Sequence, residues 1–357
     1  MLRQSKRHTM KGRFKGFSSL SFLILLALFC HPSRREPIDI DIWYGQHQTF
    51  GHLGQSQKWI NILGNISSVD SIVTFYAVIN KTDTMQLSIG QDCCRLARQG
   101  DFNIDIPRNR LKTGENKILI SAKSLSGYRT SRVVIVRLET GNTWPLPYEI
   151  HWADVKEITD VVEIMDGKWA LTSEGIRTVE PYYDRILTFG DSTWRDYEVQ
   201  TTIIFHDFTT PAPGPPTFNV SHAAIASRFP GHDIDEHQPH RQWFPLGATS
   251  EFRLTAALDS CRWRIFDGEN LYVEDNNADK LRAIELNKVY GMKHRIITLP
   301  DGRTQYSVKL WPHEGSEPRE WDLVALEPAG NIPNGAALLI AHNTDVTFGD
   351  VRISPCY

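Results

Sequence analysis

Short segments in which apolar and polar residues alternate run along the chain from about residue 38 to residue 353. In the segment 197–206, every second position holds an aromatic or β-branched residue, and most of the positions between them are polar. The segments 251–258 and 305–311 alternate in a similar way. A period of two residues is typical of strands that bury one face. Since no amphipathic helical pattern longer than two turns follows residue 36, the sequence predicts an all-β protein of packed antiparallel sheets.

The composition favours the same fold class. The 357 residues include 16 Phe, 11 Tyr and 10 Trp together with 24 Gly and 19 Pro, so the chain is rich in both aromatic and turn residues. A hydrophobic content of 41% excludes a disordered chain. The length suits one large domain or two of ordinary size.

The charge of the chain is unevenly distributed. The formal net charge is −3, but residues 1–36 hold eight basic residues and one acidic residue. The remaining residues therefore carry about ten more acidic than basic groups. Because nucleic-acid backbones attract basic surfaces, we expect no nucleic-acid partner.

The first 36 residues have the pattern of an export signal. Six basic residues precede the largely apolar run 17–30, and His31 and Pro32 follow it. A run of this length suits the core of a signal peptide and is shorter than the roughly 20 residues that span a bilayer. The small residues of a cleavage site are poorly represented, so cleavage and retention as a membrane anchor both stay open. In either case we expect residues 37–357 to lie outside the cytoplasm.

Four cysteines follow this leader: Cys93, Cys94, Cys261 and Cys356. In an oxidising compartment they could form two disulfides in any of three pairings. Free buried thiols are the alternative. Their spacing does not indicate a zinc site.

Turn residues divide the exported part into two segments. Residues 37–140 contain strand-like segments such as 71–79, 117–122 and 132–138, and about seven such strands in 100 residues predict an immunoglobulin-like β-sandwich. The Cys…Trp…Cys pattern of antibody domains is missing. Residues 141–149 hold two prolines and predict a linker. Residues 150–357 repeat the strand pattern on a larger scale and predict a jelly roll.

Several motifs in the second segment carry a resemblance to a known family. They are Asp166–Thr172, Tyr183–Leu187, Trp194–Val199, Leu338–His342 and Val346–Ile353. These motifs resemble the concanavalin A-like lectin/glucanase superfamily, and in particular its laminin-G-like and sugar-hydrolase-associated jelly rolls. The resemblance covers roughly residues 150–357 and implies a β-sandwich that binds a glycan or polysaccharide.

No catalytic signature accompanies this resemblance. Glucanases of this fold carry Glu-x-Asp-x-x-Glu, which places two catalytic carboxylates on one strand face, and this motif is absent from the sequence. Gly-x-Ser-x-Gly, His-Glu-x-x-His and a P-loop are absent as well. We therefore expect a lectin-like protein that binds carbohydrate without cleaving it. A glycoside hydrolase or polysaccharide lyase with an unfamiliar site is one alternative, and a structural adhesion protein is another.

The densest group of polar residues is the segment 228–243, which could line a ligand groove. There Trp243 would stack on a sugar ring, and neighbouring polar side chains would donate or accept hydrogen bonds. Two histidines at strand ends could reach the polar face of a sheet. The predicted sugar contacts are Arg228, His232, Asp233, Gln238, Trp243, His206 and His342.

The same segment offers ligands for a metal ion. The oxygen ligands Asp233, Asp235 and Glu236 predict a calcium site. The imidazoles at positions 232, 237 and 240 could instead hold a transition metal. A solvated loop without a ligand is the alternative, because surface loops are usually polar. The sequence gives neither the glycan nor the oligomeric state.

Overall fold

The computed structural model describes residues 37–92, 95–208, 220–231, 246–267, 272–274, 282–330 and 332–356. The predicted all-β fold class is confirmed: these residues form 23 strands and three short 3-10 turns, at Arg108–Arg110, Trp152–Asp154 and Ile158–Asp160. Pro37–Tyr357 cluster as one compact unit. Within the described part of the chain, no helix is long and apolar enough to cross a membrane.

The first eight strands build a β-sandwich. They are β1 (Ile38–Ile42), β2 (His47–Phe50), β3 (Trp59–Ser68), β4 (Ile72–Ile79), β5 (Asp83–Gln86), β6 (Asp101–Pro107), β7 (Gly114–Ser124) and β8 (Arg129–Leu138). One sheet has the order β1-β3-β6 and the other the order β2-β8-β7-β4-β5, with β2 parallel to β8. Apolar side chains from both sheets, such as Ile62, Phe75, Phe102 and Val134, form its core. The immunoglobulin-like assignment and the boundaries of the segments stay predictions.

The remaining strands build a larger sandwich. They are β9 (Tyr148–Ile150), β10 (Glu163–Asp166), β11 (Trp169–Thr172), β12 (Gly175–Thr178), β13 (Arg185–Phe189), β14 (Tyr197–Phe208), β15 (Ser221–Phe229), β16 (Ala248–Leu254), β17 (Arg262–Phe266), β18 (Tyr272–Glu274), β19 (Val289–Thr298), β20 (Thr304–Pro312), β21 (Leu323–Glu327), β22 (Ala336–His342) and β23 (Thr344–Pro355). One sheet runs β10-β13-β22-β15-β16-β17-β18, and the other runs β11-β12-β23-β14-β19-β20-β21 with β9 beside β23. Two large facing sheets are the arrangement of a jelly-roll sandwich.

The predicted alternation is visible in β14, at the centre of the eight-stranded sheet. Tyr197, Val199, Ile203 and Phe205 point into the core and are buried. Glu198, Gln200 and Thr202, whose side chains point to the other face, are only partly buried. The period of two in the sequence therefore records which face of the strand packs against the opposite sheet.

The outer face of the seven-stranded sheet is in part covered by the first sandwich. Trp59 of β3 packs with Ala224 and Phe229 of β15 and with Leu338 and Ile340 of β22. Adjacent residues of the same strands, such as Leu339, point to the opposite side and into the main core. The two sandwiches are thus joined through an apolar contact.

A histidine lies in the core of the second sandwich. His294 of β19 is 2% exposed, and its Nδ1 donates a hydrogen bond to the main-chain oxygen of Ile225, 3.1 Å away. Burial lowers the pKa of His294 to about 4, although the hydrogen bond to Ile225 acts in the other direction. The imidazole is therefore neutral in the folded protein at neutral pH.

This histidine predicts a specific pH dependence of stability. Below about pH 6.5, His294 is protonated in the unfolded chain but stays neutral in the folded chain. The free energy of unfolding therefore falls as the pH is lowered from about 6.5 to about 4. At about pH 4 this effect of His294 has lowered the free energy of unfolding by about 3 kcal/mol, since one pKa unit corresponds to about 1.4 kcal/mol. Urea unfolding at pH 7 and pH 4 should show that His294→Gln loses less stability on acidification than the wild type. Equal losses would contradict the assignment, and His313→Gln, at an exposed histidine, is the control.

Candidate functional site

Most of the predicted loop site falls outside the described residues. This holds for the predicted sugar contacts His232, Asp233, Gln238 and Trp243, and for the predicted metal ligands Asp235 and Glu236. It also holds for the imidazoles at positions 237 and 240. Their roles stay predictions.

Arg228 is described, and it lies inside the second sandwich. It is 2% exposed and has a left-handed backbone conformation, with φ of 53°. Its guanidinium group donates to Asp196, Thr298 and Thr304, at 3.0, 2.6 and 2.7 Å, and to the main-chain oxygens of Arg195 and Ile332. A sugar contact from Arg228 would require some of these bonds to break, so the geometry favours a structural role.

The two predicted strand-end histidines lie on different sheets. His206 belongs to β14 of the eight-stranded sheet, where its ring nitrogens lie 2.9 Å from Asn287 Oδ1 and 2.8 Å from Thr347 Oγ1. His342 ends β22 of the seven-stranded sheet and is 4% exposed. The two residues therefore do not form one binding face.

His342 has a histidine neighbour that the sequence pattern does not reveal. His222 of β15 is the cross-strand partner of His342 in the antiparallel register. The two imidazole rings are stacked, with centroids 4.5 Å apart and an interplanar angle of 7°. Both side chains are buried, and within the described part of the chain His222 Nδ1 and His342 Nε2 have no hydrogen-bond partner.

Two carboxylates flank this histidine pair. Asp184, which precedes β13 and has φ of 41°, places Oδ1 2.7 Å from Nδ1 of His342. On the other side, Glu251 of β16 places Oε1 3.4 Å from Nε2 of His222. Arg264 of β17 holds the other oxygen of Glu251 at 2.5 Å. Asp184, His222, His342 and Glu251 thus form a buried polar group, here called the histidine cluster.

Burial dominates the electrostatics of the histidine cluster. It lowers the pKa of His222 well below the usual value, and the neighbouring His342 and arginines act in the same direction. Burial also raises the pKa of Glu251, against the opposing effect of Arg264. His222 is therefore a neutral imidazole at neutral pH, in which one ring nitrogen carries a proton and the other carries a free lone pair.

A separate cleft lies where the two sandwiches meet, with a volume of about 710 Å³. The first sandwich contributes the segment 43–52, and the second contributes residues 156–160 and β11. Trp43 is half-buried at this cleft, and Lys168 Nζ lies 5.2 Å from the centroid of its ring. The polar side chains at its walls are Gln46, His47, Thr49, His52, Lys156, Glu157, Thr159 and Asp160.

Hydrogen bonds tie the two walls of the cleft together. The hydroxyl of Tyr44 donates to the main-chain oxygen of Gly167 at 2.8 Å and accepts from the main-chain N–H of Trp169 at 2.9 Å. His52 Nε2 lies 3.1 Å from the main-chain oxygen of Asp160. Because that oxygen only accepts, Nε2 carries the proton. The cleft is therefore held in shape before any ligand binds.

Two of the four cysteines that follow residue 36 lie in the described part of the chain, and neither of them is in a disulfide. Cys261 is buried and Cys356 is partly buried, and both are free thiols. Cys93 and Cys94 lie outside the described residues.

The comparisons with known proteins gave weak structural similarity. No protein-family model and no curated protein matched the chain. A solved structure of the VIP36 exoplasmic/lumenal domain in its Ca²⁺/Man2-bound form is 10% identical, with 58% of this chain and 87% of that chain covered and a TM-score of 0.36. A structure reported for endo-acting O-glycanases of the human gut microbiota is 7% identical, covering 59% and 99%, with a TM-score of 0.37.

A protein of unknown function with a galectin-like fold from Bacillus subtilis is also similar. It is 14% identical, the match covers 58% of this chain and 94% of that chain, and the TM-score is 0.31. The function is therefore inferred from the residues of this chain.

Proposed function

We propose that the protein binds carbohydrate in the cleft between its two sandwiches. The observation that carries this proposal is the lining of the cleft, where the indole of Trp43 lies among polar and charged side chains. An indole offers an apolar face on which a sugar ring can stack. Exposed Glu157 and Asp160 offer oxygen acceptors, and exposed His47 and Lys156 offer donors, for sugar hydroxyl groups.

The size and rigidity of the cleft support the same proposal. Its volume is within the range of about 300–1,000 Å³ that is usual for small-ligand sites. The hydrogen bonds of Tyr44 and His52 across its walls reduce the entropy lost when a ligand is ordered there. A cleft of this kind holds one short oligosaccharide segment, and the predicted loop residues 228–243 stay a separate candidate contact.

The proposed location follows from the leader. Six basic residues and an apolar run at the N-terminus predict export, so we propose that the cleft meets glycans outside the cytoplasm. Whether the leader is cleaved does not change the side of the membrane on which the cleft lies.

The proposed function is tested by comparing the affinities of the wild type and of cleft variants for the same oligosaccharide. Trp43→Ala should weaken binding by tenfold or more, because the stacking surface is lost. Glu157→Gln and Asp160→Asn together should weaken it less, since exposed charges contribute little each. Isothermal titration calorimetry, with an oligosaccharide that the wild-type protein binds, measures both losses of affinity.

A matched control distinguishes a cleft effect from loss of any tryptophan. Trp321 is half-buried and, like Trp43, has a cation over its ring, with Lys309 Nζ 4.4 Å from the centroid. Trp321→Ala should leave the affinity unchanged. Equal losses in the two variants would contradict the proposed site.

A further inference from the structure

The histidine cluster brings three metal-ligating side chains together from separate parts of the chain. One ligand atom each from Asp184, His222 and His342 lies within 4.8 Å of the other two. His222 and His342 are adjacent because β15 pairs with β22, and Asp184 is adjacent because β13 pairs with the other side of β22. All three residues are buried.

The free ring nitrogens are the second observation. His222 is 5% and His342 is 4% exposed, yet Nδ1 of His222 and Nε2 of His342 have no hydrogen-bond partner among the described residues. Buried polar atoms nearly always have one, because an unpaired buried group costs about 1–3 kcal/mol. Two such atoms on stacked imidazoles therefore indicate that a ligand is part of the site.

The local charges select the kind of ligand. Glu251 is held by Arg264 at 2.5 Å, with Arg253 3.8 Å from the same oxygen, so its charge is compensated within the protein. Asp184 instead faces the imidazole of His342. Two imidazoles with one carboxylate are a typical ligand set for zinc and related ions, whereas calcium prefers oxygen ligands alone.

We propose that Asp184, His222 and His342 bind a divalent transition-metal ion such as zinc. Ligand atoms of a four-coordinate zinc ion lie about 3.4 Å apart, given bonds of about 2.1 Å. The three ligand atoms lie within 4.8 Å of one another, so binding would draw them closer together through small side-chain rotations. The three residues leave the fourth position for water or another ligand. The site is independent of the carbohydrate cleft, since the two share no residue.

Zinc binding by the full-length protein, purified without a polyhistidine tag and treated with a chelator, tests this site. Titration with zinc chloride in a calorimeter should show one strongly bound ion. His222→Gln, His342→Gln and Asp184→Asn should each weaken that binding by tenfold or more, whereas calcium chloride should give no comparable heat. Cobalt(II) should give the visible absorption of a four-coordinate ion with nitrogen and oxygen ligands.

Two control variants make the result specific. His206→Gln removes a histidine from the other sheet and should keep the site intact. The triple variant His232→Gln, His237→Gln, His240→Gln removes the imidazoles of the predicted loop site and should also bind zinc normally. Circular dichroism identifies any variant that has not folded, and Asp184→Asn, which keeps the shape of the side chain, remains as a test if a histidine variant fails to fold. Absence of zinc binding by the wild type, unchanged binding in folded Asp184→Asn, or loss of binding in the triple variant would each overturn the proposal.

Discussion

Replacement of Arg95 by alanine is expected to destabilise the protein by about 3–5 kcal/mol. Arg95 lies between the two sandwiches and is 5% exposed. Its guanidinium group lies 2.9 Å from Asp105 in the first sandwich and 2.6 Å from Asp166 in the second. The two carboxylates are 1% and 2% exposed, so the substitution leaves both of them buried without their main cation.

The burial of this network is what makes the expected effect large. Burial raises the pKa of Asp166, and Arg95 and Arg185 oppose that effect. Without the guanidinium group of Arg95, the buried carboxylates must take up a proton or bind water. Either change weakens the contact between the sandwiches. Denaturant unfolding of wild type and variant measures the loss.

A partly exposed arginine of the first sandwich is the control. Arg132 pairs with Asp39 at 3.1 Å, with the side chains 31% and 57% exposed. Exposed pairs contribute about 0–1 kcal/mol, so Arg132→Ala should have a small effect. A loss below 1 kcal/mol for Arg95→Ala would show that the sandwiches do not depend on this network.

Replacement of Arg228 by alanine is expected to cost about 3 kcal/mol, because five hydrogen bonds to oxygen acceptors are lost inside the sandwich. The sequence predicts a sugar contact at Arg228, and this stays a prediction; from its hydrogen bonds inside the sandwich we expect a structural role instead. The folded fraction of Arg228→Ala should therefore bind glycan with the wild-type affinity. Thermal unfolding and calorimetry on the same sample separate the two roles.

Arg195 provides a control for this variant at the same carboxylate. It is 60% exposed and lies 3.8 Å from Asp196, the residue that Arg228 also contacts. Arg195→Ala should change stability by less than about 1 kcal/mol. A stable Arg228→Ala variant with lost glycan affinity would contradict the structural role and support the predicted sugar contact.

The fold could be predicted from local patterns in the sequence. In β14 the period of two identifies the strand and its buried face, because both depend on neighbouring residues alone. The motifs around Leu338–His342 likewise fall on a buried strand, β22. Strand identity and sheet packing are therefore the part of the structure that alternation reports.

The site could not be predicted in this way, because its parts are distant in sequence. β15 and β22 are neighbours although six strands lie between them along the chain, so only the sheet order brings His222 beside His342. The walls of the cleft come from segments more than 100 residues apart. Trp43 and Tyr44, two adjacent aromatic residues in a turn after β1, are a local pattern that could have indicated the cleft. The polar composition of the segment 228–243 is typical of a binding loop. Composition does not reveal the hydrogen bonds that Arg228 already makes inside the sandwich.

A glycan array probed with the wild-type protein and with Trp43→Ala, each with and without calcium, shows whether carbohydrate binds in the cleft. If carbohydrate binds in the cleft, the wild type should give specific signals that do not depend on calcium, and these signals should fall strongly in Trp43→Ala. Trp321→Ala should reproduce the wild-type pattern. A blank array for the wild type, or the same signals for Trp43→Ala, would contradict carbohydrate binding in the cleft.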